Sequence, residues 1–298
     1  MRPPSVFGIC TFAENKSLSS GPLVEVSQVS DDNVRMLLSG IRLAASSYSN
    51  TAPLIWSFLY GSQRGRAEMI LDNAPARSAQ LLAEGRVDAA LVPVFAYQSI
   101  DNVRLIPDVC VGTRHLVQSV CLVTKGCDLA DAATVALDTS SRTSAALTKI
   151  IFREFINREP KFTEAAPDIA SMLEKADAAL LIGDPALRLD TSIYRKFDLA
   201  GLWHEYTGLG FVFAMWMTRK DPMPIDLAAA RNEGVAHIAE IAANYISDTR
   251  LSLAEMKEYL GSKISYSMDE TMRAGLRLYF ELAAKHHLIE RNRKLEFI

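Results

Sequence analysis

Short, nearly continuous apolar runs recur along the chain, separated by polar turns. Ile41–Ser46 (IRLAAS), 67–73, 87–94 (VDAALVPV), 115–125 (HLVQSVCLVTK), Thr134–Asp138 (TVALD), 176–184 (ADAALLIGD) and 209–219 read as strands. Within these runs apolar and polar residues do not alternate, which is the pattern of strands covered on both faces. Between them, 53–62, 75–85 and 141–156 carry apolar residues at helical spacing, and the second of these stops at Gly85. Beyond Ile225 the chain reads as mostly helical, over 225–246, 252–260 and 268–287. Alternating strands and helices predict an α/β protein built on parallel sheets. No fixed-period repeat and no Pro/Gly/Ser linker divides the chain, so two lobes would share chain crossings, placed at 125–126 and 213–218. The expected layout is an N-terminal extension over 1–40, its order left open and a start near Met36 an alternative. Lobe 1 follows over 41–125 and lobe 2 over 126–213, with 214–298 returning to lobe 1 and carrying the C-terminal helices. A ligand would sit in the cleft between the lobes.

Composition narrows the class. The 298 residues are 49% hydrophobic and 22% charged, as in ordinary soluble domains. No run approaches the ~20 apolar residues that span a bilayer, so a membrane partner is not expected. With a net charge of −3 there is no global basic field for nucleic acid, and any anionic ligand must be held by local donors. Cys10, Cys110, Cys121 and Cys127 lack CxxC spacing, so neither a zinc site nor a redox motif is signalled. They read as thiols of a reducing compartment. The N-terminus has no apolar core of a secretory signal, and a cytoplasmic location is expected.

The candidate chemistry lies in three strand-to-helix turns and one further segment. In LDTSSRTSAAL (137–147) a strand ends at Asp138, the hydroxyls of Thr139, Ser140, Ser141, Thr143 and Ser144 follow, and a helix opens. Free N–H groups at a helix start favour an anion, and Arg142 adds a cation able to fork onto a carboxylate. An ordinary helix cap explains the same residues. Glycine is absent, so this is neither a Walker loop nor a dinucleotide fingerprint. SSYSNTAP (46–53) offers Ser47 and Asn50, again with a cap as the plainer explanation, and LIGDPAL (181–187) puts Asp184 just after a buried strand. VGTRHLVQSV (111–120) holds Thr113, His115 and Ser119. The other histidines have no metal-ligand spacing.

Taken together, IRLAASSYSNTAPL, PARSAQLLAEGRVDAALVPV, LDTSSRTSAAL, LLIGDPAL and DLAGLWHEYTGLGFVFAMW resemble the chorismate dehydratases of the futalosine route to menaquinone, over nearly all of 41–290. The resemblance implies a two-lobed fold like that of type II periplasmic binding proteins, with an interlobe cleft, and no metal or organic cofactor. It implies a hydro-lyase that removes water from the dianion chorismate to give 3-(1-carboxyvinyloxy)benzoate. Asn50, Thr113 and Ser119 match family positions expected at the reacting centre. Ser47, Ser140, Ser141, Arg142, Thr143, Ser144 and Asp184 are expected to bind substrate. Asp184 and the substrate's own enolpyruvyl carboxylate are both candidates to accept the proton.

The sequence also departs from the family pattern. A Ser-x-Gly-Pro-Val segment reads Thr113-Arg114-His115-Leu116-Val117, the Glu before Tyr97 is Ala96, and Gly-Leu-Pro-Phe reads Gly208-Leu209-Gly210-Phe211. Two alternatives follow from the residues and the fold. One is the naphthoate-forming lyase of the same pathway, and the other is a cytoplasmic module that binds or senses a small anion.

Overall fold

The computed structural model describes residues 40–298. The expectation for 1–40 therefore falls, Gly40 apart, outside the described residues. The strands are β1 (Ile41–Ser46), β2 (Ala67–Asp72), β3 (Ala89–Pro93), β4 (Arg104–Thr113), β5 (Val120–Thr124), β6 (Thr134–Asp138), β7 (Lys161–Ala165), β8 (Ala178–Ile182), β9 (Arg195–Asp198) and β10 (Phe211–Thr218). They form two five-stranded sheets, ordered β2-β1-β3-β10-β4 and β7-β6-β8-β5-β9. The two orders are the same pattern: three parallel strands, then a strand from the far side of a chain crossing, then an edge strand.

That pattern corrects the expectation of parallel sheets. The runs β1, β2, β3 and β6, β7, β8 are parallel, but β10 is antiparallel to β3 and β4, and β5 is antiparallel to β8 and β9. Being buried on both faces makes a strand continuously apolar whichever way it runs, so composition could not distinguish the two. The crossings also lie elsewhere than 125–126 and 213–218. They run over 114–119 and 199–210, because β5 pairs wholly in the second sheet and β10 along its length in the first. The apolar run over 115–125 hides the first crossing, where Gln118 adopts a positive φ of 63°.

The helices are α1 (Ala52–Leu59), α2 (Pro75–Ala83), α3 (Arg142–Ile150), α4 (Ile169–Lys175), α5 (Asp184–Leu187), α6 (Leu199–Thr207), α7 (Leu227–Ala236), α8 (Ile238–Thr249), α9 (Leu253–Glu258) and α10 (Glu270–Lys285). The helix expected over 141–156 is α3 followed by a wide π turn at Ile151–Ile156, closed by Asn157 at φ 55°. The helix expected over 225–246 breaks at His237, whose ring stacks on Trp56 with centroids 3.7 Å apart. A second π turn, Tyr259–Lys263, follows α9. The chain then bonds to β4, Ser265 to Gly112 and the Tyr266 carbonyl to the Cys110 N–H. Through these bonds the C-terminal helices are fastened to the first sheet, and Tyr259 is brought to its carboxyl edge.

Candidate active site

The carboxyl ends of the parallel strands of both sheets meet. From the first sheet come the turn after β1, with Tyr48, Ser49 and Asn50, and Phe95 after β3. From the second come the turn after β6, Thr139–Ser141, and Gly183 and Asp184 after β8. Phe95 N–H donates to Thr143 Oγ1 at 3.1 Å. Ser49 donates its N–H to Asp184 Oδ2 at 3.2 Å and its hydroxyl to Oδ1. Tyr48 lies against Gly183, where a Cβ would come within 2.9 Å of the ring and φ is +66°. Only glycine provides both that backbone and that room.

Two groups of polar side chains lie here, each within reach of Asp184. In the first, the Tyr259 hydroxyl lies beside the side chains of Ser119 and Asn50. Tyr259 and Ser119 are fully buried, yet neither hydroxyl completes a hydrogen bond of ordinary geometry, although Ser119 and Asn50 are near enough to act on the phenol. The buried hydroxyl of Tyr266 is also unpartnered, and it lies within electrostatic reach of Tyr259. A buried polar group left unsatisfied costs about 1–3 kcal/mol, so several together mark a place shaped for something other than packing. Burial pushes the Tyr259 phenol above its ordinary pKa, with its polar neighbours opposing; it remains a donor. The second group surrounds Asp138. Its Oδ1 accepts from Ser140 N–H at 2.8 Å and Ser140 Oγ at 2.5 Å, while Oδ2 is buried without a partner. Burial raises the Asp138 pKa against those bonds, and Tyr48, close to Asp138, Ser140 and Asp184, is raised as well.

The sequence-predicted residues divide by what already engages them. Asn50, Ser119, Ser140 and Asp184 come together at the meeting of the two edges. Arg142 is exposed at the start of α3 and makes no ion pair among the described residues. The first turn leaves the N–H groups of Arg142 and Thr143 without a helical acceptor. Ser141 caps α3, accepting from Ser144 N–H at 3.2 Å and donating to Ser144 Oγ at 3.0 Å. The plain cap therefore does occur here, alongside free donors. Thr143 is held from both sides, since its carbonyl accepts from Tyr279 Oη at 3.1 Å. Thr113 donates to the Leu116 carbonyl at 2.9 Å and so shapes the first crossing. Ser47 donates to Asn73 Oδ1 at 2.6 Å and lies to one side. Burial raises the Asp184 pKa, while its bonds from Ser49 oppose the shift.

Nothing in the sequence singles out Tyr48, Tyr259 or Tyr266, and Asp138 reads there only as a strand end. Tyr259 carries no local signal: it follows helical apolar spacing and reads as core. At the departures from the family pattern, Arg114 pairs with Asp269 at 2.6 Å and His115 Nδ1 meets His204 Nε2 at 3.0 Å. Gly210 packs where a Cβ would come within 2.9 Å of the Thr113 carbonyl. Ala96 is buried in the turn after β3. Cys110 and Cys121 are buried thiols pushed up to about 12, which removes them as nucleophiles. Among the described residues no cluster of three His, Cys, Asp or Glu could hold a metal, and no helix is long and apolar enough to cross a membrane.

Several known proteins are similar. The chain is 30% identical over 262 residues to a chorismate dehydratase of Thermus thermophilus, covering 80% of this chain and 93% of that one. A crystal structure of an Archaeoglobus fulgidus protein superposes with a TM-score of 0.64 at 18% identity, covering 84% of this chain and 98% of the other. A Candida albicans protein described as having the generic periplasmic binding protein fold also gives 0.64, at 13% identity, covering 87% and 97%. The periplasmic aliphatic sulphonate binding protein of Escherichia coli gives 0.59 at 12%, covering 87% and 93%. These structures establish the two-sheet periplasmic-binding-protein-like fold. Residues 41–285 match the family described as menaquinone biosynthesis, and the chain belongs to that family.

Proposed function

We propose that this protein removes water from chorismate to form 3-(1-carboxyvinyloxy)benzoate, a step of the futalosine route to menaquinone, in the cytoplasm. The observation that carries this reading is the 30% identity, across 93% of its length, with the Thermus thermophilus chorismate dehydratase. The exposed free thiol of Cys127 is in keeping with a reducing compartment.

The reaction asks for orientation, charge stabilisation and a proton transfer. Chorismate loses the proton at C3 and the hydroxyl at C4, and the ring becomes aromatic. That driving force makes a metal or organic cofactor unnecessary. One substrate carboxylate sits at the turn over 140–144, held by Arg142 and the free N–H groups of the first turn of α3, with Ser140 at its edge. Ser141, Thr143 and Ser144 shape that turn from behind. Asn50 and Ser119 face the departing hydroxyl. Thr113 fixes the first crossing, and Ser47 steadies the turn after β1.

Asp184 already accepts from Ser49 N–H and Oγ–H. Its role is to tether the two turns, and the enolpyruvyl carboxylate of the substrate takes the C3 proton. The test is purified protein with chorismate alone, followed by chromatography and mass detection. A product lighter by one water with benzoate absorbance is expected; chorismate recovered unchanged overturns the reading.

A further inference from the structure

We propose that Tyr259 is a further catalytic residue, its phenol donating a hydrogen bond to the oxygen that leaves the substrate ring beside Asn50 and Ser119. The inference rests on the dehydratase reading and deepens it. Three observations converge on this hydroxyl.

It is fully buried and completes no hydrogen bond of ordinary geometry, even with Ser119 and Asn50 alongside, and the fold holds it there. The π turn that carries it is held by the Ile264 N–H donating to the Tyr259 carbonyl at 3.1 Å, and by Ser265 paired with Gly112 of β4. Phenylalanine would pack the same space without leaving a polar group unsatisfied, so packing alone does not explain the tyrosine.

Its neighbours fit a neutral oxygen. The side chains beside the phenol are Ser119 and Asn50, and Asp184 is close enough to act on its charge. With uncharged donors and a carboxylate nearby, this corner disfavours a substrate carboxylate and fits an alcohol. Arg142, on the turn over 140–144, is where a carboxylate finds a cation.

The phenol is a donor throughout the working range, because burial disfavours the phenolate. In the elimination the C3–H bond breaks and its proton passes to the acceptor carboxylate. The bonding pair enters the ring, and the C4–O bond breaks with its pair on oxygen. That oxygen takes up the proton lost from C3 and departs as water. Tyr259 steadies the charge growing on the oxygen and keeps its own proton, so no other reactant is needed.

The experiment compares Tyr259→Phe with wild type for kcat, KM and thermal stability. We expect kcat to fall by about 100- to 1000-fold, as for loss of one donor to a developing charge. KM should stay within about threefold and Tm should be unchanged or higher, since a strained polar group is gone. A kcat within about twofold of wild type overturns the proposal while wild-type turnover leaves the dehydratase reading standing. Wild type inert toward chorismate overturns both. Should the phenylalanine variant fail to fold, a fluorotyrosine at position 259 retains the ring and changes the acidity of the phenol. A kcat that changes with that acidity supports the role, and an unchanged kcat overturns it.

Discussion

Ser119, Asn50 and Asp184 stand within a few residues of well-packed strands, but they are occupied differently, and that difference sets what substitution does. Asp184 is engaged by Ser49, the Ser119 hydroxyl completes no hydrogen bond of ordinary geometry, and Asn50 stands beside Tyr259. Replacing Asn50 with Ala should lower kcat by about 100-fold with little change in unfolding free energy, measured by urea titration beside the rate. Equal activity would remove Asn50 from the mechanism. Asp184 has a pKa raised by burial, so the folded protein holds that proton at pH values where the unfolded chain has lost it. Its contribution to stability is therefore greatest below its ordinary value and falls as pH rises through the folded pKa. Asp184→Asn lacks this slope. The variant's stability relative to wild type should climb as pH rises from the ordinary aspartate value through the raised folded one, read by denaturant unfolding across that range. A difference independent of pH would contradict the burial effect.

At the scale of elements, the two crossings are joined by one carboxylate. Asp198 caps α6 through Gly201 N–H at 2.9 Å and accepts from Val117 and Gln118 N–H at 3.1 and 2.6 Å. The second crossing thus grips the first. Asp198→Ala should destabilise the protein by about 2–4 kcal/mol, since hydrogen bonds to a charged group are worth more than neutral ones. Calorimetry that finds no loss would show the crossings are held by packing instead. α7 packs on α1 with Gly234 directly against the Pro53 backbone, leaving no room for a Cβ. Gly234→Ala should cost about 1–3 kcal/mol through forced separation of the helices, also read by calorimetry; a neutral result would mean that the helix pair can slide apart.

Across the whole molecule, what the chain revealed in advance depended on range. Turns such as 46–53, 137–147 and 181–187 were legible because strand, polar residues and helix follow one another locally. The edge strand β4 was not, because Pro107 and the positive φ of Asp108 interrupt it where its pairing with β10 shifts. The direction of β5 and β10 was illegible for the reason that makes them apolar: both faces are covered. Tyr259 lay beyond reach for a different reason. Its meaning comes from Ser119 and Asn50, which the C-terminal helices approach only when fastened to β4. Many of the hydroxyls of the turn over 140–144 were readable as donors, but only the folded chain distinguishes those that cap α3 from the donors left free.

The central claim is that this arrangement removes the C3 proton and the C4 hydroxyl of chorismate. The most direct measurement gives the purified protein chorismate carrying deuterium at C3 and weighs the product. Loss of water together with all of the label, in an aromatic product, is the expected result. Recovery of intact chorismate, or a dehydrated product that keeps the deuterium, would contradict it.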